Sequence, residues 1–392
     1  MDVAGTAVGA GRPRGGWAPL WMATLDPADR TVLDPGIPHD LDRHPDVLVV
    51  GGGVMGLAAA LFCRQAGLGR VMLIERHRLA WAASGGAGGA LAPELHQLSD
   101  PPAFVALARS SLTLYRQLAQ EWDDGGLLRE APGLLLFPEG PPAGLRPWPQ
   151  VELLDAAQVA DLVPQLVSMS AALLARNHAR IHPLRLAAAL ARRAGSVATG
   201  VAMLDSEVAG DRIVRVHTTA GNLDPGAVVF ATGLAPAPWV PVPQRLVKGH
   251  LVVTEPAGFQ LRCGLHAPGL GVGSLEDGSL LVGGTREEGD ASPQVRGKVV
   301  QRIRRRLGEL LPAARAPRLR YRWCCFRPAT ADGQPVIDRV PGLDNAWVSA
   351  GHDGTGLLLA PATGQALATW IATGRPPSPV RSFHLSRFGR SA

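Results

Sequence analysis

From residue 46 onward, short apolar runs bounded by glycine and proline punctuate the chain, and their pattern predicts alternating strands and helices. Residues 46–50 (DVLVV) lie between Pro45 and a glycine cluster, as a strand buried on both faces does. A glycine-rich turn over 51–56 follows, and 57–67, rich in Ala and Leu, predicts a helix that stops at Gly67. Residues 71–75 (VMLIE) predict a second strand, which completes a βαβ unit. Strand pattern returns at 213–219, 227–231 and 346–350, the last followed by glycines at 351–356 and a helix reaching 373. Between these pieces, 104–122 and 183–193 predict helices, the second with Pro183 in its first turn. Residues 134–137 and 150–154 predict strands outside the nucleotide unit. Segments 249–255 and 271–284 alternate as half-buried strands do, and 294–310 predicts an amphipathic helix.

Nucleotide-type βα pieces thus stand at the start, middle and end, with alternating strands between them. The expected class is α/β, or α+β overall: a discontinuous Rossmann-like domain interleaved with an antiparallel-sheet substrate domain. The expected nucleotide domain covers 46–100, 176–245 and 325–385, and the substrate domain 101–175 and 246–324. Residues 1–45, with many Pro, Gly and Asp and no periodic apolar pattern, read as a poorly ordered N-terminal extension.

Composition narrows the function classes. The chain is 46% hydrophobic and 18% charged, ample for a sizeable core. No run of about 20 apolar residues predicts a membrane span, and no signal-type segment is visible. The net charge is +6, but the arginines are dispersed. The densest run, Arg302, Arg304, Arg305 and Arg306, falls on the amphipathic helix with no interleaved aromatics, so nucleic acid is not an expected partner. The four cysteines, Cys63, Cys263, Cys324 and Cys325, form no CxxC pair, which argues against a metal centre and fits a reducing, cytoplasmic setting.

The chemistry centres on Gly51-x-Gly53-x-x-Gly56, placed between a strand and a helix as a dinucleotide site requires. Gly51 permits the tight turn, Gly53 a close approach to pyrophosphate, and Gly56 close packing of helix on strand. Val54 and Met55 open the helix, whose free N–H groups and positive dipole end suit phosphate. Glu75, 24 positions after Gly51, closes the second strand where a carboxylate accepts hydrogen bonds from ribose; Arg76 follows it. Ala231, Thr232 and Gly233 form a further backbone turn after a strand. Gly351, His352, Gly354, Thr355 and Gly356 open a second helix. Two helix starts aimed at one ligand suit a long cofactor.

Seven stretches together resemble the flavoprotein superfamily that contains D-amino acid oxidase, glycine oxidase and monomeric sarcosine oxidase: VVGGGVMGL (49–57), ASGGAGG (83–89), IHPLRL (181–186), VVFATG (228–233), VKGH (247–250), RPATADG (327–333) and GHDGTGL (351–357). The resemblance runs from about residue 46 to 373. It implies FAD as cofactor and hydride removal from the α-carbon of a small amino acid. A sarcosine-, proline- or hydroxyproline-type amine is the alternative substrate, and a flavin subunit passing electrons to a partner the alternative role. It implies that the run beginning at Ser84 passes close to the isoalloxazine ring, that Arg327 grips the substrate carboxylate through its planar fork, and that His352 belongs to the cofactor neighbourhood. It sets Cys325 at the place of a flavin-linked cysteine, with a packing residue as the other reading and Arg327 as a group that would lower its thiol pKa. Oxygen or a redox partner subunit is the expected electron acceptor, and an oligomer remains open. His182 and His250 read as structural, and Lys248 as a solvated charge at a strand end.

Overall fold

The computed structural model describes residues 18–122, 126–235, 240, 242–315 and 317–389. Six strands form one sheet in the order Val336–Arg339, Ala346–Ala350, Ala227–Phe230, Val47–Val50, Val71–Glu75, Ser196–Thr199. All neighbours run parallel except Val336–Arg339, which is antiparallel to Ala346–Ala350. The central strands are buried along their whole length, which is why they read as unbroken apolar runs. Helix Val54–Gln65 makes the first crossover. Helices Pro102–Glu121, Pro183–Ala191 and Gly356–Thr373 share its apolar cluster. A small antiparallel sheet, Met203–Ala209, Arg212–Thr218 and Gly221–Leu223, supplies apolar residues to the other face.

A nine-stranded sheet forms the second half. Its order is Glu287–Glu288, Gln244–Thr254, Leu280–Gly283, Leu270–Ser274, Gly264–Ala267, Gly133–Phe137, Ala171–Ala175, Val151–Asp155, with Leu319–Thr330 also paired to Gln244–Thr254. One pair departs from the expected antiparallel pattern: Gly264–Ala267 lies parallel to Gly133–Phe137. Helix Gly297–Leu310 covers the outer face through Val299, Val300, Ile303, Leu307 and Leu310.

Three expectations need correction. Residues 18–45 are not a loose extension. They carry helices Pro19–Ala23 and Pro27–Val32, and Leu20, Trp21, Leu25 and Leu33 are buried in the main core. These elements are too short to show a period, so only tertiary burial orders them. Residues 1–17 lie outside the described residues. Helix Pro102–Glu121 packs with the nucleotide-side helices rather than in the substrate half. The 324/325 boundary falls inside the continuous strand Leu319–Thr330. Among the described residues no helix is long and apolar enough to cross a membrane.

One buried contact ties two of these helices. Pro361 lies inside Gly356–Thr373 and has no N–H to give the Leu357 carbonyl one turn back. The fully buried Tyr115 of Pro102–Glu121 donates its hydroxyl to that carbonyl at 2.6 Å. Tyr115→Phe would leave the carbonyl buried without a donor, so we expect a loss of roughly 1–3 kcal/mol. Urea unfolding measures it; an unchanged midpoint and slope would remove this bond from the account.

Candidate active site

A cavity of about 450 Å³ runs between the two sheets, within the range that holds a cofactor ring and a small substrate. One end is built by the fingerprint. Gly51 has φ 115°, and a Cβ there would lie 2.4 Å from the Ala231 carbonyl oxygen. A Cβ on Gly56 would lie 1.9 Å from the Gly51 oxygen, so both glycines are required by packing alone. Gly53 differs. It is extended (φ −72°), and a Cβ there meets only Ser84 Oγ, at 3.4 Å. Its outward side opens on the cavity, where a pyrophosphate would need the space. The Val54 amide donates to Ser84 Oγ at 3.0 Å, so Ser84 joins the mouth of the helix. Glu75 is held by backbone: Oε2 accepts from Gly52 N–H (2.7 Å) and Oε1 from His77 N–H (2.8 Å).

The second helix start meets the same cavity. Gly351, His352, Gly354 and Gly356 line it, as do Gly53, Val54, Met55, Ser84, Ala231 and Gly233. Gly351 has φ 68°. His352 is buried, its Nε2 has no partner among the described residues, and burial pushes its pKa down to about 3, so it is neutral. Ser349 Oγ, not foreseen from sequence, is likewise buried and unpaired on the cavity wall. Such orphaned polar atoms fit a ligand with hydrogen-bonding edges. Thr232 and Thr355 turn inward on their own loops, donating to the carbonyls of Ala235 (2.8 Å) and His352 (2.7 Å). Arg76 is exposed, and neither it nor these two threonines reaches the cavity wall.

The glycine-rich loop is clamped from two sides. Trp21 Nε1 donates to the Ala87 carbonyl (2.8 Å) and Trp323 Nε1 to that of Gly86 (2.9 Å). The N-terminal segment thus braces the loop. Gly86 lets Cys325 approach: a Cβ there would lie 2.6 Å from the Cys325 Cβ. Cys325 and Arg327 stand on Leu319–Thr330, and both line the cavity. Arg327 Nη1 donates to the Thr285 carbonyl at 2.9 Å, and its guanidinium lies against Gly249. Burial raises the Cys325 thiol pKa and outweighs the lowering by Arg327, so the expected activation of this cysteine does not prevail.

Lys248 corrects another expectation. It is fully buried, paired with Asp290 (2.8 Å) and donating to the Gln294 carbonyl (2.7 Å). No local pattern signals that residues 287–296 fold over this strand. His250 is structural: Nδ1 pairs with Glu287 (2.8 Å) and Nε2 accepts from Arg296 N–H (3.0 Å). His182 caps helix Pro183–Ala191, its Nδ1 accepting from Arg185 N–H at 3.2 Å. Sequence reading missed His178, Arg180 and His266, which line the far end of the cavity. Strand Ala179–Ile181 has only three residues, too few to show that Arg180 points inward.

Gly53→Val is compatible with the backbone but fills the outward space. We expect a folded protein that purifies without flavin; a variant of unchanged yellow colour would refute the pyrophosphate assignment.

Comparison with known proteins agrees with this geometry. The family model described as FAD dependent oxidoreductase matches residues 46–370. The chain is 30% identical to the glycine oxidase of Pseudomonas aeruginosa over 353 residues, 84% of this chain and 95% of that protein. The crystal structure of glycine oxidase from Geobacillus kaustophilus superposes with a TM-score of 0.78 at 26% identity, covering 88% of this chain and 99% of the other. L-proline dehydrogenase from P. horikoshii superposes with a TM-score of 0.80 at 20% identity, over 89% of this chain and 99% of the other, a likeness of fold alone. The match spans the fingerprint, the braced glycine loop and the arginine-bearing strand, and the chain belongs to the family of FAD-dependent oxidoreductases, with FAD as its cofactor.

Proposed function

We propose that this enzyme removes hydride from the α-carbon of a small amino acid, giving an imine that water hydrolyses. The observation that carries the reading is Arg327. It is a cavity-lining guanidinium with no carboxylate partner among the described residues, in the same cavity as the dinucleotide fingerprint. Two parallel N–H donors suit a substrate carboxylate and orient the Cα–H bond. FAD, when bound, supplies the two-electron acceptor. The chain's own part is positional. His352, neutral and buried, adds a polar edge without charge, and the glycine surfaces allow close approach. Similarity to the glycine oxidase of Pseudomonas aeruginosa supports glycine as the substrate, with a D-amino acid as the related reading. The fold of L-proline dehydrogenase keeps a secondary amine as the second reading.

Oxygen or a redox partner subunit takes the electrons; oxygen uptake by the isolated protein separates the two. The four cysteines are unpaired, which supports a reducing, cytoplasmic setting. The decisive experiment is anaerobic bleaching of the flavin against glycine, sarcosine, D-amino acids and prolines. No bleaching by any of them would overturn the reading.

Arg327→Ala should raise the half-saturating amino-acid concentration while FAD stays bound. Loss of a charge-assisted contact costs roughly 1.5–3 kcal/mol, about tenfold to hundredfold. Arg327→Lys should recover only part, because an ammonium lacks the planar fork. An unaltered half-saturation in the Ala variant removes Arg327 from the carboxylate site.

Cys325 packs its Cβ against Gly86, and burial raises its thiol pKa, so we read it as a packing residue and FAD as held without a covalent bond. After acid precipitation the flavin should appear wholly in the supernatant. Flavin that stays in the pellet, and leaves it on Cys325→Ser, would establish a thioether instead.

A further inference from the structure

Arg180 has no place in the reading above. It stands on strand Ala179–Ile181, half-buried, with its guanidinium on the cavity wall. Its Nη1 donates to the Ser274 carbonyl at 3.1 Å, and it has no carboxylate partner among the described residues. Burial pushes its pKa down to about 10, with Arg129 on the adjacent strand adding to the shift. Glu130, next along that strand, is engaged by Arg116 at 2.6 and 3.0 Å. The neighbouring histidines supply no countercharge. His178 Nδ1 faces the Ala131 carbonyl at 2.6 Å and must donate to it, so its Nε2 accepts from His266 Nε2 at 3.3 Å. Burial holds both rings neutral, at about 4 and about 3. A buried cation without an anion is costly, and this one faces the substrate cavity.

The sheet floor makes the arrangement more specific. A Cβ on Gly273 would lie 2.0 Å from Arg180 Nη1, and a Cβ on Gly249 would lie 2.5 Å from Arg327 Nη2. Each guanidinium therefore rests on a glycine. The pairs Leu251↔Gly283↔Gly271 and Val253↔Leu281↔Gly273 place both glycines on one face, two strands and four residues apart. Gly283 is midway between them, with the Leu251 side chain leaning over it (Cγ 2.8 Å from an added Cβ); beside it Gly271, on the strand of Gly273, stays bare, with nothing nearer than 3.8 Å to its added Cβ. Strand spacing and rise put the two guanidinium places roughly 16 Å apart. A guanidinium–carboxylate contact takes up roughly 4 Å at each end, leaving roughly 8 Å between two carboxyl carbons.

We propose that the substrate carries two carboxylates: the α-carboxylate on Arg327 and a distal carboxylate on Arg180, joined by an extended chain over the glycine floor. This deepens the amino-acid reading and rests on it. The substrate class is a 2-amino dicarboxylic acid or an N-carboxyalkyl amine of about five or six bonds between the carboxyl carbons, longer than aspartate.

The test uses the FAD-loaded enzyme and two readouts. The first is equilibrium binding of unreactive adipate and pimelate, followed by the shift in the flavin spectrum, against their monomethyl esters. The diacids should bind at least tenfold more tightly than the esters, and this ratio should fall to near one in Arg180→Met and partly return in Arg180→Lys. Equal binding of diacid and ester by the parent enzyme overturns the distal subsite, as does a ratio that survives in a folded, yellow Arg180→Met. The second readout is anaerobic bleaching by D-aspartate, D-glutamate, D-2-aminoadipate and D-2-aminopimelate, with glycine as reference. The longer diacids should bleach at the lowest concentrations. Bleaching by glycine with no preference among the diacids sinks the subsite alone. Tight diacid binding without bleaching by any amine sinks the amino-acid reading and leaves the subsite standing.

Discussion

Everything at the site hangs from one backbone-to-backbone contact. A Cβ on Gly364 would lie 2.6 Å from the carbonyl carbon of Ala58, so helices Val54–Gln65 and Gly356–Thr373 touch with no side chain between them. Both helices start at the cavity, one after the fingerprint and the other after His352. Holding them this close aims two positive dipole ends and two glycine turns at a single ligand. Pro361 frees a carbonyl in the second helix, and Tyr115 satisfies it from a third, so a buried hydrogen bond ties that third helix to the pair.

The cavity reaches its polarity by withholding partners. Outside it, buried charges are matched: Lys248 by Asp290, Glu94 by Arg109, Asn177 and Trp148. On its wall, Arg327 and Arg180 meet only backbone carbonyls, and His178, His266 and His352 are kept neutral by burial. Its one lining carboxylate, Asp353, is paired with Arg286 at 2.6 Å, so a surface with two further positive charges favours an anion. Glycines at 249, 271 and 273 give those side chains, and a substrate, room to lie on the sheet.

The N-terminal helices show how a segment outside the matched span can serve the site. Trp21 reaches the Ala87 carbonyl while Trp323 reaches that of Gly86, so the glycine-rich loop, anchored by its own side chain at Ser84, is held further on by two indoles from distant parts of the chain. Loops that approach a cofactor closely must be bare, and bare loops need outside bracing to stay in one conformation.

The sequence alone determined the nucleotide half. Gly51 and Gly56 announce their roles because a positive φ or a missing Cβ admits one residue type at a known spacing from strand and helix, and Gly53 because the same motif reserves the space before it for a ligand. The amphipathic period placed Gly297–Leu310, and the RPATADG stretch pointed to Arg327. What the sequence did not hold was anything set by long-range burial. Lys248 read as solvated because the segment that covers it follows some 40 residues later. The short helices of 18–45 have no period of their own. Arg180 gained its meaning only when Gly273, nearly a hundred residues on, was folded beneath it. Local geometry is written in neighbouring residues; which charge loses its water is decided by what the rest of the chain brings against it.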